Sequence, residues 1–310
     1  MPNYIERSDA EALIPVQTAS EIIKATTQQS AALSLMRKLP NMTAKQQKLP
    51  ILAALAQAGF VNGDTGLKSV SKSQWDNKFI TAEEIAVIIP IPEAVLDDAE
   101  YDIFGEIKPQ IIEAFGSVID GAVFFSVDKP ATWPTGIVDG AVAASKTVAL
   151  GTGADIAADV NSVMGLVEAS GYDVNGFAAA VSVKTQLRGL RDNTGAPIFQ
   201  PSLTVGTPAT LYGQAISYPK NGAWDAAKAL MLGGDFSQAV YAIRQDITYK
   251  VLDQAVISDA DGKVVLNLAQ QDMVALRCVM RLGWQLPNPI NRLDASANRY
   301  PFAVLKPATP

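Results

Sequence analysis

Histidine is absent from this chain of 310 residues, and cysteine occurs once, as Cys278. Ser-His-Asp and Cys-His catalysis lack their base and are excluded. Zinc sites are built from His and Cys clusters, so none is expected. One thiol cannot form a disulfide within the chain. Cys278 lies among strand-forming residues and reads as a small packed hydrophobe. Charge is scarce too: Asp, Glu, Lys and Arg make up 18% of the chain, against ~25% in an ordinary soluble domain. A surface so poor in charge points to burial against partners. The net charge of −6 removes any global basic footprint for nucleic acid. No apolar run approaches the ~20 residues of a membrane span. The greasiest stretch, IAVIIPIPEAVL, is cut by two prolines and Glu93, and the polar start MPNYIERSDA does not read as a secretory signal. The expectation is a protein made in the cytoplasm, with no membrane partner and no cofactor.

What is present is ample apolar material, 48% of the chain, in a length that suits about two domains of ~150 residues. Residues 1–44 read as an extended arm with a helix from Glu21 to Leu39, ended by Pro40. Residues 45–84 carry two turn signals, Asn62-Gly63 and Thr65-Gly66, between strand-like flanks, and read as a long projecting hairpin. Its apolar residues Phe60, Val61, Trp75 and Phe79 are too few to bury it on itself, and an isolated hairpin is marginal in water. Residues 85–91 read as a buried strand. A helical pattern follows from Pro92 to Phe125, with Ile103, Ile107, Ile111, Phe115, Val118, Ile119 and Ala122 in one stripe. Pro109 predicts a bend or a helix start between Gly105 and Pro109. Asp155 reads as the N-cap of a helix that Gly171 ends. Strands and helices alternate through 137–232. Phe236–Ile243 and Ile247–Val256 are expected to pair as a hairpin, and Met273–Leu286 to form a long strand with Arg277 and Arg281 on one face. The proline-rich residues 287–310 are expected to pack along another element.

Motifs that could carry chemistry are weak. Gly151-Thr152-Gly153 lacks the third glycine of a dinucleotide loop and reads as a turn before a capped helix. Ser69-Val70-Ser71-Lys72 matches Ser-x-x-Lys without its companion motifs and reads as solvated loop. Asp97, Asp98, Glu100 and Asp102 could do acid–base work or hold a cation, but carboxylates also favour a helix N-terminus, and no third functional group stands near them.

Charge is unevenly distributed. Between Arg37 and Lys78 stand Arg37, Lys38, Lys45, Lys48, Lys68, Lys72 and Lys78, with only Asp64 and Asp76 against them. Between Glu93 and Phe124 stand Glu93, Asp97, Asp98, Glu100, Asp102, Glu106, Glu113 and Asp120, with only Lys108. Two ordinary solvated faces would give this pattern. So would a hairpin of one subunit lying over the helix of the next, where opposite charge guides docking and register.

The stretches AGFVNGDTGLKSVSKSQWDNKFITAEEIAVIIPIPEAVLDDAEYDI, LRGLRDNTGAPIF, MLGGDFSQAVYAIRQDITYKV and MVALRCVMRLGWQLPNP, in this order, resemble the tailed-bacteriophage major capsid proteins of the Hong Kong ninety-seven fold family. The resemblance implies an α+β capsid fold: an N-terminal arm (1–44), an E-loop hairpin (45–84), a peripheral domain with a spine helix (85–136 and 233–286) and an axial domain (137–232 and 287–310). It implies pentamers and hexamers that close into an icosahedral virion shell around double-stranded DNA, without sequence-specific binding. It also implies a portal, a separate scaffolding protein and a decoration protein as partners. Contacts between subunits are expected at Lys68, Lys72, Trp75 and Lys78 of the E-loop, at Asp97, Asp98, Glu106 and Glu113 of the spine helix, and at Arg277 and Arg281 of the peripheral strand. Some members cross-link a lysine to an asparagine with help from a late glutamate. Lys68 or Lys72 could supply the amine, but no Glu follows Glu168, so no self-catalysed cross-link is expected. An encapsulin-like nanocompartment shell is the alternative with the same fold. A soluble enzyme with a carboxylate site is the alternative from another class.

Overall fold

A computed structural model describes residues 30–60, 68, 70–98, 102–191, 210–259, 261–294 and 298–308. Residues 1–29, which hold most of the expected arm, lie outside them. The chain enters through a short helix, α1 (Ala31–Leu35), which ends at Met36 in extended backbone. Arg37–Lys38 then form β1 instead of continuing the helix to Leu39.

β2 (Gln46–Ala54) and β3 (Gln74–Thr81) pair antiparallel as the expected hairpin, Gln46 opposite Thr81. β4 (Glu83–Pro92) follows directly. It is not the buried strand expected from its apolar run. Ile85, Val87 and Ile89 pack half-buried against the core, while Ile88 on the other face is exposed. One side of β4 is therefore open, and its composition alone does not reveal this.

After the short helix α2 (Glu93–Asp98), the long helix α3 runs from Ile103 to Phe125. Asp102 caps it, its carboxylate accepting from the Gly105 N–H at 3.0 Å. The helix thus starts six residues before Pro109, where the proline only leaves the Gly105 carbonyl without an intrahelical donor. Ile111, Phe115, Ile119 and Ala122 are buried as the stripe predicts, and Ile103 and Ile107 are half-buried. Val118 is 50% exposed. It lies one position, about 100° of rotation, off the line through Ile119 and so falls outside the apolar stripe.

Helix α3 packs on a four-stranded sheet in the order β1-β10-β13-β4. β10 (Val240–Leu252) and β13 (Met273–Gln285) are antiparallel. Leu276, Cys278, Met280, Leu282 and Trp284 of β13 turn inward and are buried in one cluster with α1 and α3. Arg277 and Arg281 alternate with them on the other face. β10 is one continuous strand, not the hairpin expected from Phe236 to Val256. The polar run Arg244-Gln245-Asp246 that suggested a turn is a register shift opposite Arg281. A small hairpin, β11 (Val256–Ser258) with β12 (Val264–Asn267), sits instead between β10 and β13.

The second sheet has six strands in the order β5-β14-β9-β6-β8-β7. They are β5 (Thr147–Ala149), β6 (Gly176–Ala179), β7 (Thr210–Leu211), β8 (Gln214–Ser217), β9 (Met231–Gly234) and β14 (Phe302–Lys306). Both faces are covered. Phe302 and Val304 point into the cluster that holds α3 and α4 (Ile137–Ala143). Ala303 and Leu305 point into a second cluster with α5 (Ile156–Glu168) and α6 (Val181–Gly189). As expected, Asp155 caps α5, accepting from Ala158 N–H at 2.8 Å, and Gly171 lies just past it at φ +80°. The expectation for 287–310 understates β14, which pairs with β5 on one side and β9 on the other.

Candidate assembly surfaces

The hairpin is tied to its own subunit along its paired length and just past it, with the Ile290 N–H donating to the Leu52 carbonyl at 3.3 Å. Gln285 Nε2 donates to the Phe79 carbonyl at 2.9 Å, and Arg292 donates to the Ala56 carbonyl at 2.7 Å. Farther out, Gln57 N–H donates to Ser71 Oγ at 2.6 Å and joins the two arms. Apolar side chains here lack cover: Phe60 and Val70 near that link are fully exposed, and Trp75 within β3 is 67% exposed. Lys68 and Lys72 project into solvent. Lys78 differs from them: its ammonium donates to the Leu286 carbonyl at 2.9 Å. Burial holds its pKa below the ordinary lysine value, against the opposing pull of Asp76.

Of the expected acidic contacts, only Glu106, with the cap Asp102, sits at the helix N-terminus that the dipole favours for a carboxylate; Asp97 and Asp98 end α2. Asp97 and Asp98 are exposed on α2, and Asp102 is spent as the cap of α3. Glu106 lies in the first turn of α3, half-buried, and Glu113 is half-buried farther along. Glu100 lies outside the described residues. Among the described residues, no group of three or more His, Cys, Asp or Glu could hold a metal ion. On the outer face of β13, Arg281 is paired with Glu84, Nε to Oε2 at 2.7 Å with Nη2 closing the pair. Arg277 is exposed beside its cross-strand neighbour Lys250.

The turn at Gly151–Gly153 is filled by the chain itself. The Gly151 and Gly153 N–H groups donate to the Asp159 carboxylate at 2.7 and 2.6 Å. A side chain thus stands where a dinucleotide loop would receive phosphate, in agreement with the turn reading. Ser71 and Lys72 lie outside any helix, so the Ser-x-x-Lys match has no catalytic setting. Cys278 is fully buried, and desolvation pushes its thiol pKa up.

Sequence reasoning missed a buried carboxylate that ties three distant segments together. Asp120, on α3, is 1% exposed. Its Oδ1 accepts from Ser30 Oγ at 2.6 Å and from Ala32 N–H at 2.9 Å. Its Oδ2 accepts from Ala31 N–H at 3.0 Å and from Asn221 Nδ2 at 2.7 Å. One residue therefore clamps the root of the arm, the long helix and the loop that leads toward β9. The signal was available: Asp120 interrupts the apolar stripe right after Ile119, and Ser30 before two alanines is a helix-capping pattern.

The family model described as the phage capsid family matches residues 10–291 of this chain. The chain is 29% identical over 215 residues to the major capsid protein of Staphylococcus phage 80alpha, a match covering 68% of this chain and 63% of that protein. A solved structure from Microbacterium phage Oxtober96 is 41% identical, with a TM-score of 0.86 over 98% of this chain and 100% of that one. Another, from Mycobacterium phage Cain, is 33% identical, with a TM-score of 0.85 over 98% of this chain and 99% of that one. The chain thus spans less than two thirds of the curated relative but the full length of the Oxtober96 chain.

Proposed function

The chain belongs to the phage capsid family, and from that membership we propose that it is a major capsid protein. Its copies form pentamers and hexamers that close into an icosahedral shell around phage double-stranded DNA. Its place is in the virion and its role is structural, not catalytic. A portal, a separate scaffolding protein and a decoration protein are its expected partners. Residues 45–84 act as the E-loop, 85–136 and 233–286 as the peripheral domain and 137–232 with 287–310 as the axial domain, with residues 1–44 as the arm. The two sheets support this division, since each has its own helices and only the main cluster joins them.

The observation that carries the reading is the hairpin β2–β3. It projects apolar side chains at Phe60, Val70 and Trp75 that its own subunit leaves bare, and exposed aromatics on a marginal two-stranded element call for cover. A neighbouring copy supplies it. Lys68, Lys72, Trp75 and Lys78 then meet Asp97, Asp98, Glu106 and Glu113 of the next subunit, with Arg277 and Arg281 on the adjoining strand face. Lys78 takes part through its aliphatic stem, because its ammonium is already held by Leu286. Electron microscopy of the purified full chain tests the proposal: closed shells are expected, and a stable monomer or dimer at high concentration overturns it.

A further inference from the structure

The four-stranded sheet is electrically polar along its strands. At the end where Glu83 adjoins Leu282, Lys45, Glu83, Glu84, Arg244 and Arg281 line an open pocket of about 230 Å³. Glu84 is taken by Arg281, and Glu83 accepts from Thr132 Oγ1 at 2.7 Å. Lys45 and Arg244 make no side-chain hydrogen bond or ion pair among the described residues. Two of the three cations in the pocket are therefore uncommitted. At the opposite end Pro92 and Leu252 flank the start of β13. Residues 93–98 and 253–272 there hold Glu93, Asp97, Asp98, Asp253, Asp259, Asp261 and Asp272, against Lys263 alone. Arg281 and Met273 stand eight residues apart on β13, about 27 Å at the rise of a strand. The continuous β13–β4 ladder holds them apart, so the two ends do not meet within one subunit.

The hairpin β11–β12 is the slender element at the acidic end. Val256, Val264 and Val265 on it are each more than half exposed. The Asp259 carboxylate closes the turn, accepting from the Asp261 and Lys263 N–H groups at 3.1 and 2.9 Å. The neighbouring Asp261 is exposed and makes no side-chain bond among the described residues. We propose that this hairpin docks into the Lys45–Arg244–Arg281 pocket of a second copy, with Asp261 pairing to Arg244 and Lys45. The contact joins two different surfaces, so it repeats from copy to copy and is heterologous. A nucleic acid fits the pocket less well, because Glu83 and Glu84 stand inside it and repel phosphate. A tip that carries both signs has Lys263 to set against Glu83.

This inference rests on the shell reading. Its test is charge reversal in the full chain: Arg244→Glu, Asp261→Lys and the pair together, read by mass photometry and electron microscopy. Both positions are exposed, and a thermal melt of each variant confirms that it folds. Each single change should raise the concentration needed for assembly at least tenfold, and the pair should return it to within about threefold of wild type. Singles that assemble like wild type, or a pair no better than the worse single, overturn the contact. Arg244→Glu that alters only DNA retention assigns the pocket to a polyanion and also overturns it. If the wild-type chain itself forms no large particle, the shell reading fails, and that failure is visible before any variant is compared. As a second readout, Arg244→Cys with Asp261→Cys should give disulfide-linked ladders between copies under oxidation, and a chain that stays monomeric under denaturing electrophoresis refutes the contact.

Discussion

Replacing Asp120 by asparagine leaves shape and volume nearly unchanged and turns one acceptor oxygen into a donor. In the wild type both oxygens are saturated, each by two donors. If the new amide replaces Oδ2, it faces the Ala31 N–H and Asn221 Nδ2; if it replaces Oδ1, it faces the Ala32 N–H and the Ser30 hydroxyl. Either way two buried donors lose their acceptor, and each orphaned group costs about 1–3 kcal/mol. Ser30 can rotate and Asn221 can flip, which recovers part of this. Removing a buried charge that has no counter-cation among its partners also offsets some of the loss. The net expectation is a destabilisation of about 2–4 kcal/mol. A kcal/mol shifts the melting midpoint by roughly 2–4 °C in a domain of 150–250 residues, so a fall of about 4–16 °C is expected. The assay is thermal and urea unfolding of the unassembled subunit by near-ultraviolet circular dichroism. Ser30→Ala and Asn221→Ala should each cost about 1 kcal/mol, and each should cost less in the Asp120→Asn background than in the wild type. An Asp120→Asn protein within 0.5 kcal/mol of wild type would show that the arm root is held by apolar packing alone and refute the reasoning.

Trp75→Ala should leave subunit stability within about 0.5 kcal/mol, because the ring is mostly exposed, yet should impair shell formation in light scattering; normal assembly argues against hairpin docking. Raising ionic strength should weaken assembly if hairpin lysines meet helix acids, and a concentration series in increasing salt would detect it. Phe302→Ala should cost about 3–5 kcal/mol by urea unfolding, since its ring is fully buried and stacks edge-on against Phe236 at 5.0 Å. Cys278 should resist thiol reagents in the folded subunit and react on unfolding, because it is buried and its pKa is raised. Burial raises the pKa of Tyr172, Tyr218, Tyr241 and Tyr300 above the ordinary value of 10.0. The unfolded phenols therefore ionise first, and the stability held below pH 10 is lost as pH rises beyond it. Lys78 acts in the opposite sense, since its pKa is lowered in the folded state. A urea midpoint that stays flat from pH 9 to 12 contradicts the tyrosine argument.

What could be read from the sequence follows from how strongly each segment announces its period. α3 and β13 are long, one apolar every third or fourth residue and the other an apolar run of thirteen residues marked by Arg277, Arg281 and Gln285 on one face, and both emerged at nearly their true bounds. The Asp155 cap was legible because a side-chain acceptor before an apolar run has few other uses. β14 was hidden because a central strand buried on both faces shows no alternation. Five such residues after a proline resemble any apolar tail. β10 was split because charged residues at its bulge imitate a turn. The hairpin and the acidic helix stood out as charge blocks, whereas the pocket at Lys45 and Arg244 draws residues from four distant stretches, which the register of β4, β10 and β13 and the bond from the Ala82 N–H to the Lys45 carbonyl bring together. Asp120 escaped notice because its partners lie 88 to 101 residues away in sequence.

The central place of β14 sets a clock on synthesis. It joins β5, made more than 150 residues earlier, to β9. Until the ribosome has released Phe302–Lys306, the six-stranded sheet is two fragments with open edges, and closure must await the longest loop in that sheet. A nascent chain therefore cannot present a finished subunit to its neighbours, and a product broken off before Phe302 is sorted out by its own missing seam.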